Sequence, residues 1–269
     1  MVNTSKRELG LIISDKKTPT VLALSGSLRS PSFTDKILDI LLKGMGEVEV
    51  HKFYPHKMKI GPCTSCWNCW QGKNKGECVQ KDDFQSIYDV YKKCDYFMIG
   101  APVYVFGFPA TIKNVIDRFF VNLEPSQILM DSGLTNHPQR YAPEAKGVLV
   151  STCGFPDMEN FTLMSQHFKK IMIHMGLTWA GEILIPSAGA ANAPHLLDVN
   201  LEAVRKAGAE LISGTISPET MHTISEVPIS KNDYREMTNA SFKGGLTGKA
   251  KTIAIGIKAM RNKGKKKQV

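Results

Sequence analysis

Apolar residues in this chain alternate between short runs and helical stripes. Residues 20–25 are a short apolar run of strand length. Phe33, Ile37, Ile40 and Leu41 then recur at helical spacing, predicting a helix over 33–43. Residues 47–54 alternate polar and apolar through Val48, Val50 and Phe53, as an edge strand would. A helix over 82–93 gathers Phe84, Ile87, Tyr88 and Tyr91, and residues 96–100 form a wholly apolar strand. A helix over 111–120 turns Ile112, Val115, Ile116 and Phe119 inward. Strand 147–151, helix 159–175, strand 179–185 and helix 198–212 complete the series. Five strands separated by helices predict an α/β fold, a parallel sheet covered on both faces.

Two stretches break the rhythm. Residues 123–146 hold Pro125, Gly133, Pro138 and Pro143 and exceed an ordinary connection, which points to a functional or interface loop. Beyond about residue 217 the α/β pattern stops. The expected organisation is an extension over 1–18, one α/β domain over 19–216, and a C-terminal arm over 217–269 with a weak apolar stretch at 253–257. A chain of 269 residues, 42% hydrophobic, can bury one large core. No apolar run is long enough to span a bilayer, and residues 9–13 are too short for a secretory signal, so a cytoplasmic location is expected. The net charge of +9 is concentrated at one end: 249–269 carries eight basic residues and no acidic one, accounting for all but one of those charges. Binding to nucleic acid or an anionic membrane could belong only to that tail, for which a solvated end is the simpler reading. Nucleic acid is not an expected partner.

The chemistry lies where strands give way to loops. Ser25-Gly26-Ser27-Leu28-Arg29-Ser30-Pro31-Ser32-Phe33-Thr34 delivers hydroxyls and backbone N–H groups to a helix start, where the dipole favours an anion. It is neither a G-x-x-x-x-G-K-[ST] loop nor a G-x-G-x-x-G fingerprint. Such a cradle suits a phosphate monoester; the same serines could equally cap the helix. The next such loop, 100–109, is stiffened by Pro102 and Pro109, permits positive φ at Gly107, and offers the flat surfaces of Tyr104, Phe106 and Phe108. The third is Ser151-Thr152-Cys153-Gly154-Phe155-Pro156. In an open parallel sheet these loops meet beyond the carboxyl ends of the strands. A phosphate cradle beside an aromatic loop implies a ligand with a phosphate at one end and a large flat ring at the other, a description that fits flavin mononucleotide (FMN).

These segments, together with Lys113-Asn114-Val115-Ile116-Asp117-Arg118, resemble the flavodoxin-like NAD(P)H-dependent FMN reductases over roughly residues 19–190. The resemblance implies a flavodoxin-like three-layer fold with five strands in the order 2-1-3-4-5. By position it places Ser25, Ser27, Arg29, Ser32, Phe33 and Thr34 at the phosphate, and Pro102, Val103, Tyr104, Phe106, Gly107, Thr152, Cys153 and Gly154 at the flavin ring. It further implies NAD(P)H as co-substrate, a flavin, quinone or other small electron acceptor, and a homodimer or tetramer. No catalytic side chain is expected, since hydride transfer from nicotinamide to flavin needs no protein nucleophile.

Four of the six cysteines form one cluster, Cys63, Cys66, Cys69 and Cys78. A C-x2-C-x2-C run with a later cysteine can seat a [4Fe–4S] cluster, and four thiolates can hold zinc. The segment is similar to the compact motif of iron–sulfur flavoproteins, with a longer gap before Cys78, so an iron–sulfur electron carrier is the alternative function. Reduced thiols lining a loop are the favoured state. His167 and His174 lack the spacing of a metal pair, Cys94 reads as a packing residue, and Asp117-Arg118 reads as an ion pair or subunit contact.

Overall fold

The computed structural model describes residues 18–73, 75–192 and 196–266. Residues 1–17 of the expected extension lie outside it, as do the side chains of six of the eight basic residues in the tail.

In chain order the elements are β1 (Thr20–Ser25), α1 (Phe33–Gly44), β2 (Glu49–Phe53), α2 (Asn68–Gln71), α3 (Phe84–Tyr91), β3 (Tyr96–Pro102), α4 (Ala110–Arg118), β4 (Ile128–Leu129), β5 (Thr135–Asn136), β6 (Lys146–Thr152), α5 (Thr162–His174), β7 (Thr178–Ile185), α6 (Asp198–Ser213), α7 (Pro218–Ser225), α8 (Lys231–Lys243) and α9 (Gly245–Lys266). The main sheet is parallel throughout, in the order β2-β1-β3-β6-β7, which is the flavodoxin-like 2-1-3-4-5 order once the small β4–β5 hairpin is set aside. That hairpin lies inside the long 123–146 connection.

Alternation along the central strands divides the core. Leu22, Leu24, Phe97, Ile99 and Leu149 pack under α3, α4 and α5. Val21, Ala23, Met98, Val148 and Val150 pack under α1 and α6. Strands buried on both faces must be apolar at nearly every position, which is why β1 and β3 read as continuous runs. β2, at the edge, has no fully buried residue, and Val50, expected on its inner side, is exposed. On one face α1 and α6 cross so closely that a Cβ on Gly208 would lie 2.3 Å from the Leu41 carbonyl oxygen, and one on Gly44 2.2 Å from that of Arg205.

The residues after 217 form three helices. Ile224 of α7 joins the α1–α6 side of the core. Tyr234 and Met237 of α8, with Ile255 and Ala259 of α9, build a separate apolar cluster with Ala190, Leu196 and Leu197, and Phe33 leans on it. Of the 249–269 tail, Ile255 and Ala259 are buried against this cluster while Ile253, Ile257, Lys251 and Lys258 are exposed, and the expectation of a solvated basic end rests on side chains that mostly lie outside the described residues.

Candidate active site

Strand register brings the three loops to one rim. Ser25 lies beside Gly100 at the ends of β1 and β3, and Pro102 beside Thr152 at the ends of β3 and β6. Backbone hydrogen bonds continue past the strands: Gly26 N–H donates to the Gly100 carbonyl (2.7 Å), and Val103 N–H to that of Thr152 (2.9 Å). The Thr34 and Thr152 hydroxyls share a buried hydrogen bond of 2.6 Å, tying the first turn of α1 to the end of β6.

In the first loop Ser25, Ser27 and Thr34 are buried, Ser32 and Phe33 half-buried, and Arg29 exposed. Ser27 Oγ accepts from the Arg29 N–H (3.3 Å), while Ser32 caps α1 by accepting from Asp35 N–H (3.3 Å). Capping and cradling therefore coexist: Ser32 serves the Asp35 donor, and the N–H groups of Phe33 and Thr34, at the first helical positions, have no intrahelical acceptor.

The second loop departs from expectation in one respect. Tyr104 and Gly107 exchange two backbone hydrogen bonds of 3.0 Å around a tight turn, and positive φ falls on Val105 (46°) and Phe106 (63°), with Gly107 on the ordinary side. A β-branched residue in the left-handed region is strained, and Val105 sits there 94% exposed. The two-residue turn closes here with left-handed backbone at both central positions, the form whose twist matches paired flanking segments. Pro102 and Val103 are half-buried, while Tyr104 and Phe106 stand out from the rim. Phe108 packs against His167, ring centroids 5.4 Å apart, and burial pulls the His167 pKa down.

In the third loop the Cys153 side chain is buried in the core, burial pushes its thiol pKa up, and its backbone N–H and C=O are bonded to Ile185 O (3.0 Å) and Ala188 N–H (2.8 Å). Gly154 and Phe155 are exposed. A Cβ on Gly107 or Gly154 would meet nothing within 4 Å, so both backbones are open to a ligand. The rim thus combines hydroxyl and amide donors, open glycine backbone and exposed apolar surface.

The cysteine segment forms a second feature. Cys63, Cys66, Cys69 and Cys78 line one small, partly open cavity with Trp67, Arg118 and Phe120. Positive φ at Ser65 (50°) and Trp67 (60°) curls the chain around it. Arg118, whose side chain is only 1% exposed, pairs with Asp82 (2.6 and 3.0 Å) and donates to the Gly61 carbonyl (2.8 Å) and to Cys78 Sγ (3.4 Å). Asp117 instead pairs with Lys113, so the expected ion pair at 117–118 resolves into two separate ones. Hydrogen bonds from Asn68, its backbone first, hold the Cys66 thiol below its ordinary pKa, while burial raises that of Cys69. All six cysteines are free thiols, and among the described residues no three His, Cys, Asp or Glu side chains converge tightly enough to hold a single metal ion.

Sequence reasoning missed Tyr234. Its hydroxyl donates to the Gly154 carbonyl (2.8 Å) and accepts from Gly189 N–H (3.2 Å). The one available signal was its helical spacing with Met237 in an otherwise polar segment.

A family model described as NADPH-dependent FMN reductase matches residues 19–170. An iron–sulfur flavoprotein of Archaeoglobus fulgidus is 34% identical over 99 residues, 36% of this chain and 44% of that protein. The chain thus spans under half the length of that curated relative, and 51% of a similar one from Methanosarcina thermophila. A Bacillus subtilis protein named as an NAD(P)H-dependent FMN-containing oxidoreductase is 26% identical over 174 residues, 65% of this chain and 86% of that one. Among solved structures, the fold matches an FMN-dependent NADH-azoreductase of Bacillus anthracis in complex with FMN, at a TM-score of 0.54 and 12% identity over 72% of this chain and 99% of that one.

Proposed function

The chain belongs to the NADPH-dependent FMN reductase family, and from that premise we propose that it is an oxidoreductase that binds FMN at the three-loop rim, takes a hydride from NAD(P)H and passes electrons to a small planar acceptor such as a free flavin or quinone. The observation that carries this reading is the convergence of the three loops, closed by the Thr34–Thr152 hydrogen bond. Bound FMN supplies the hydride-accepting chemistry. The chain supplies position and surroundings. Ser27, Ser32 and the first N–H groups of α1 would hold the phosphate, with Arg29 adding charge from the exposed side. Pro102, Val103 and the turn from Tyr104 to Gly107 would lie along the ring, and Thr152 and Gly154 would border it. The Cys153 side chain, turned into the core, would shape that border through its backbone. Tyr104, Phe106 and Phe155 leave an apolar margin suited to nicotinamide and then a flat acceptor.

Homo-oligomerisation belongs to the same reading. Leu129 and Leu134 on the β4–β5 hairpin are exposed and apolar, as an interface loop would be. No helix among the described residues is long and apolar enough to cross a membrane.

A second reading is favoured by one observation, the cavity lined by four thiols with the Arg118 guanidinium at its edge. Cys63, Cys66, Cys69 and Cys78 would be the ligands of a [4Fe–4S] cluster, whose separate iron corners spread the thiolates more widely than one ion does. Relatives named as iron–sulfur flavoproteins support it. One experiment addresses both readings. Protein purified without oxygen is assayed for flavin and iron, then mixed with NADPH or NADH. Stoichiometric FMN that bleaches within seconds is the expected result. Failure to retain added FMN sinks the main reading, and iron at background level removes the cluster.

A further inference from the structure

α8 lies outside the stretch matched by the family model, yet it touches the third rim loop and the loop that follows β7. Tyr234 is 3% exposed and its phenol stands between the loops that follow β6 and β7, donating to Gly154 and accepting from Gly189. The fit is built for it: a Cβ on Gly189 would lie 2.8 Å from the phenol oxygen, so a larger residue there would displace the hydroxyl. Around this bridge the two loops are laced together, with Ala188 N–H donating to Cys153 O (2.8 Å) and Ser187 N–H to Phe155 O (2.9 Å). Three residues further along the same loop, Asp157 pairs with Lys231 in the first turn of α8 (2.5 Å). The apolar cluster that Tyr234 and Met237 join also receives Phe33, the first residue of α1. The C-terminal cluster that Tyr234 joins thus reaches the first rim loop as well as the third.

We propose that Tyr234 is a positioning residue of the flavin site, fixing the Gly154 carbonyl and with it the backbone that borders the ring. The proposal rests on the FMN reading above. Gly154 has no side chain of its own and is exposed to solvent; within the loop the 154–155 amide is held at its N–H by a weak acceptor, Cys153 Sγ (3.4 Å), and its carbonyl is left to be fixed from outside. The phenol does so with a directional bond from a buried, packed ring. Rotation of that plane would re-aim the 154–155 amide at the point where a bound ring needs a stationary edge. Such preorganisation appears in affinity and in the asymmetry imposed on the flavin, beyond any effect on folding.

The test compares the wild-type chain with Tyr234→Phe, which keeps the packed ring and removes only the hydroxyl, and with Lys231→Ala as a second, milder release of the same loop. Three quantities are measured: hydrogen exchange of the 153–157 amides without flavin, the FMN dissociation constant by fluorescence quenching, and the visible circular dichroism of bound FMN. In Tyr234→Phe we expect faster exchange at 154–157 with α6 unchanged, FMN binding weaker by about tenfold, and an altered flavin dichroism. Lys231→Ala should shift exchange in the same direction by less. Faster exchange with unchanged affinity and dichroism would reduce the bridge to a structural tether and overturn the proposal. Unchanged exchange would overturn it too, by showing that the loop needs no such anchor. If the wild-type chain takes no FMN, the functional reading fails and the positioning role falls with it, an outcome separate from a variant that matches a flavin-binding parent.

Discussion

Arg118 and Asp82 are the pair whose chemistry is most exposed to a single substitution. Burial alone would raise the Asp82 pKa, but hydrogen bonds from Arg118 and from the Gly61 and Phe84 N–H groups outweigh it and hold the carboxylate below its ordinary range. A depressed folded-state pKa stabilises the protein at pH values above the unfolded aspartate pKa of about 3.9, and that contribution is lost as pH falls through the lower folded value. Asp82→Asn leaves the buried guanidinium without its counter-charge. It should destabilise the protein by about 3 kcal/mol near neutral pH and flatten the acid limb of stability below about pH 4. Urea midpoints measured from pH 2 to 7 check both; an unchanged acid limb would mean that other carboxylates govern acid unfolding. Because Arg118 also touches Cys78 and the Gly61 carbonyl, the same variant should loosen the wall of the cysteine cavity.

Among the elements, α1 and α6 show how packing overrides propensity. Gly208 stands in the middle of a 16-residue helix, where alanine would ordinarily be favoured by about 1 kcal/mol. Its Cβ, however, would meet backbone on α1, and backbone cannot rotate aside as a side chain would. Gly208→Ala should therefore destabilise the protein, by about 1–3 kcal/mol, with the urea midpoint falling at constant m value. A stabilised variant would show that the crossing has slack. The consequence extends to the rim, since α1 carries Phe33 and Thr34 at its start and a shifted α1 pulls on the Thr34–Thr152 bond.

At the level of the whole molecule, the C-terminal helices behave as part of the site's foundation. Ile255 and Ala259 of α9 cover the cluster that holds Tyr234 and Met237. Deleting residues 245–269 should lower stability by at least about 2 kcal/mol, the worth of one buried isoleucine side chain, and should speed hydrogen exchange in α8 and in 153–157. Chemical denaturation and exchange on the truncated chain are the measurements; intact protection of 153–157 would show α8 to be self-supporting. Legibility in the sequence varied by region for a physical reason. The five strands of the main sheet and α1, α3, α4, α5 and α6 were readable because each carries its burial face in its own period, as Phe84, Ile87, Tyr88 and Tyr91 do, whereas the four-residue α2 is too short to show one. α7 to α9 were not, because α8 and α9 bury only a narrow stripe and are mostly polar or basic elsewhere.

The order of apolar runs, the hydroxyl-rich turn before α1 and the glycines in the later loops were all local properties, and they sufficed for the α/β architecture and for which three loops meet at one rim. Relations between distant residues were decided only by the folded chain. Thr34 and Thr152 are 118 positions apart and Gly154 and Tyr234 80 apart, and no local period encodes either pairing. The left-handed backbone at Val105 and Phe106, where glycine was the expected carrier, likewise follows from closing a two-residue turn between fixed ends. Side-chain periodicity records which face is buried, while strand register and helix crossing determine what that face meets.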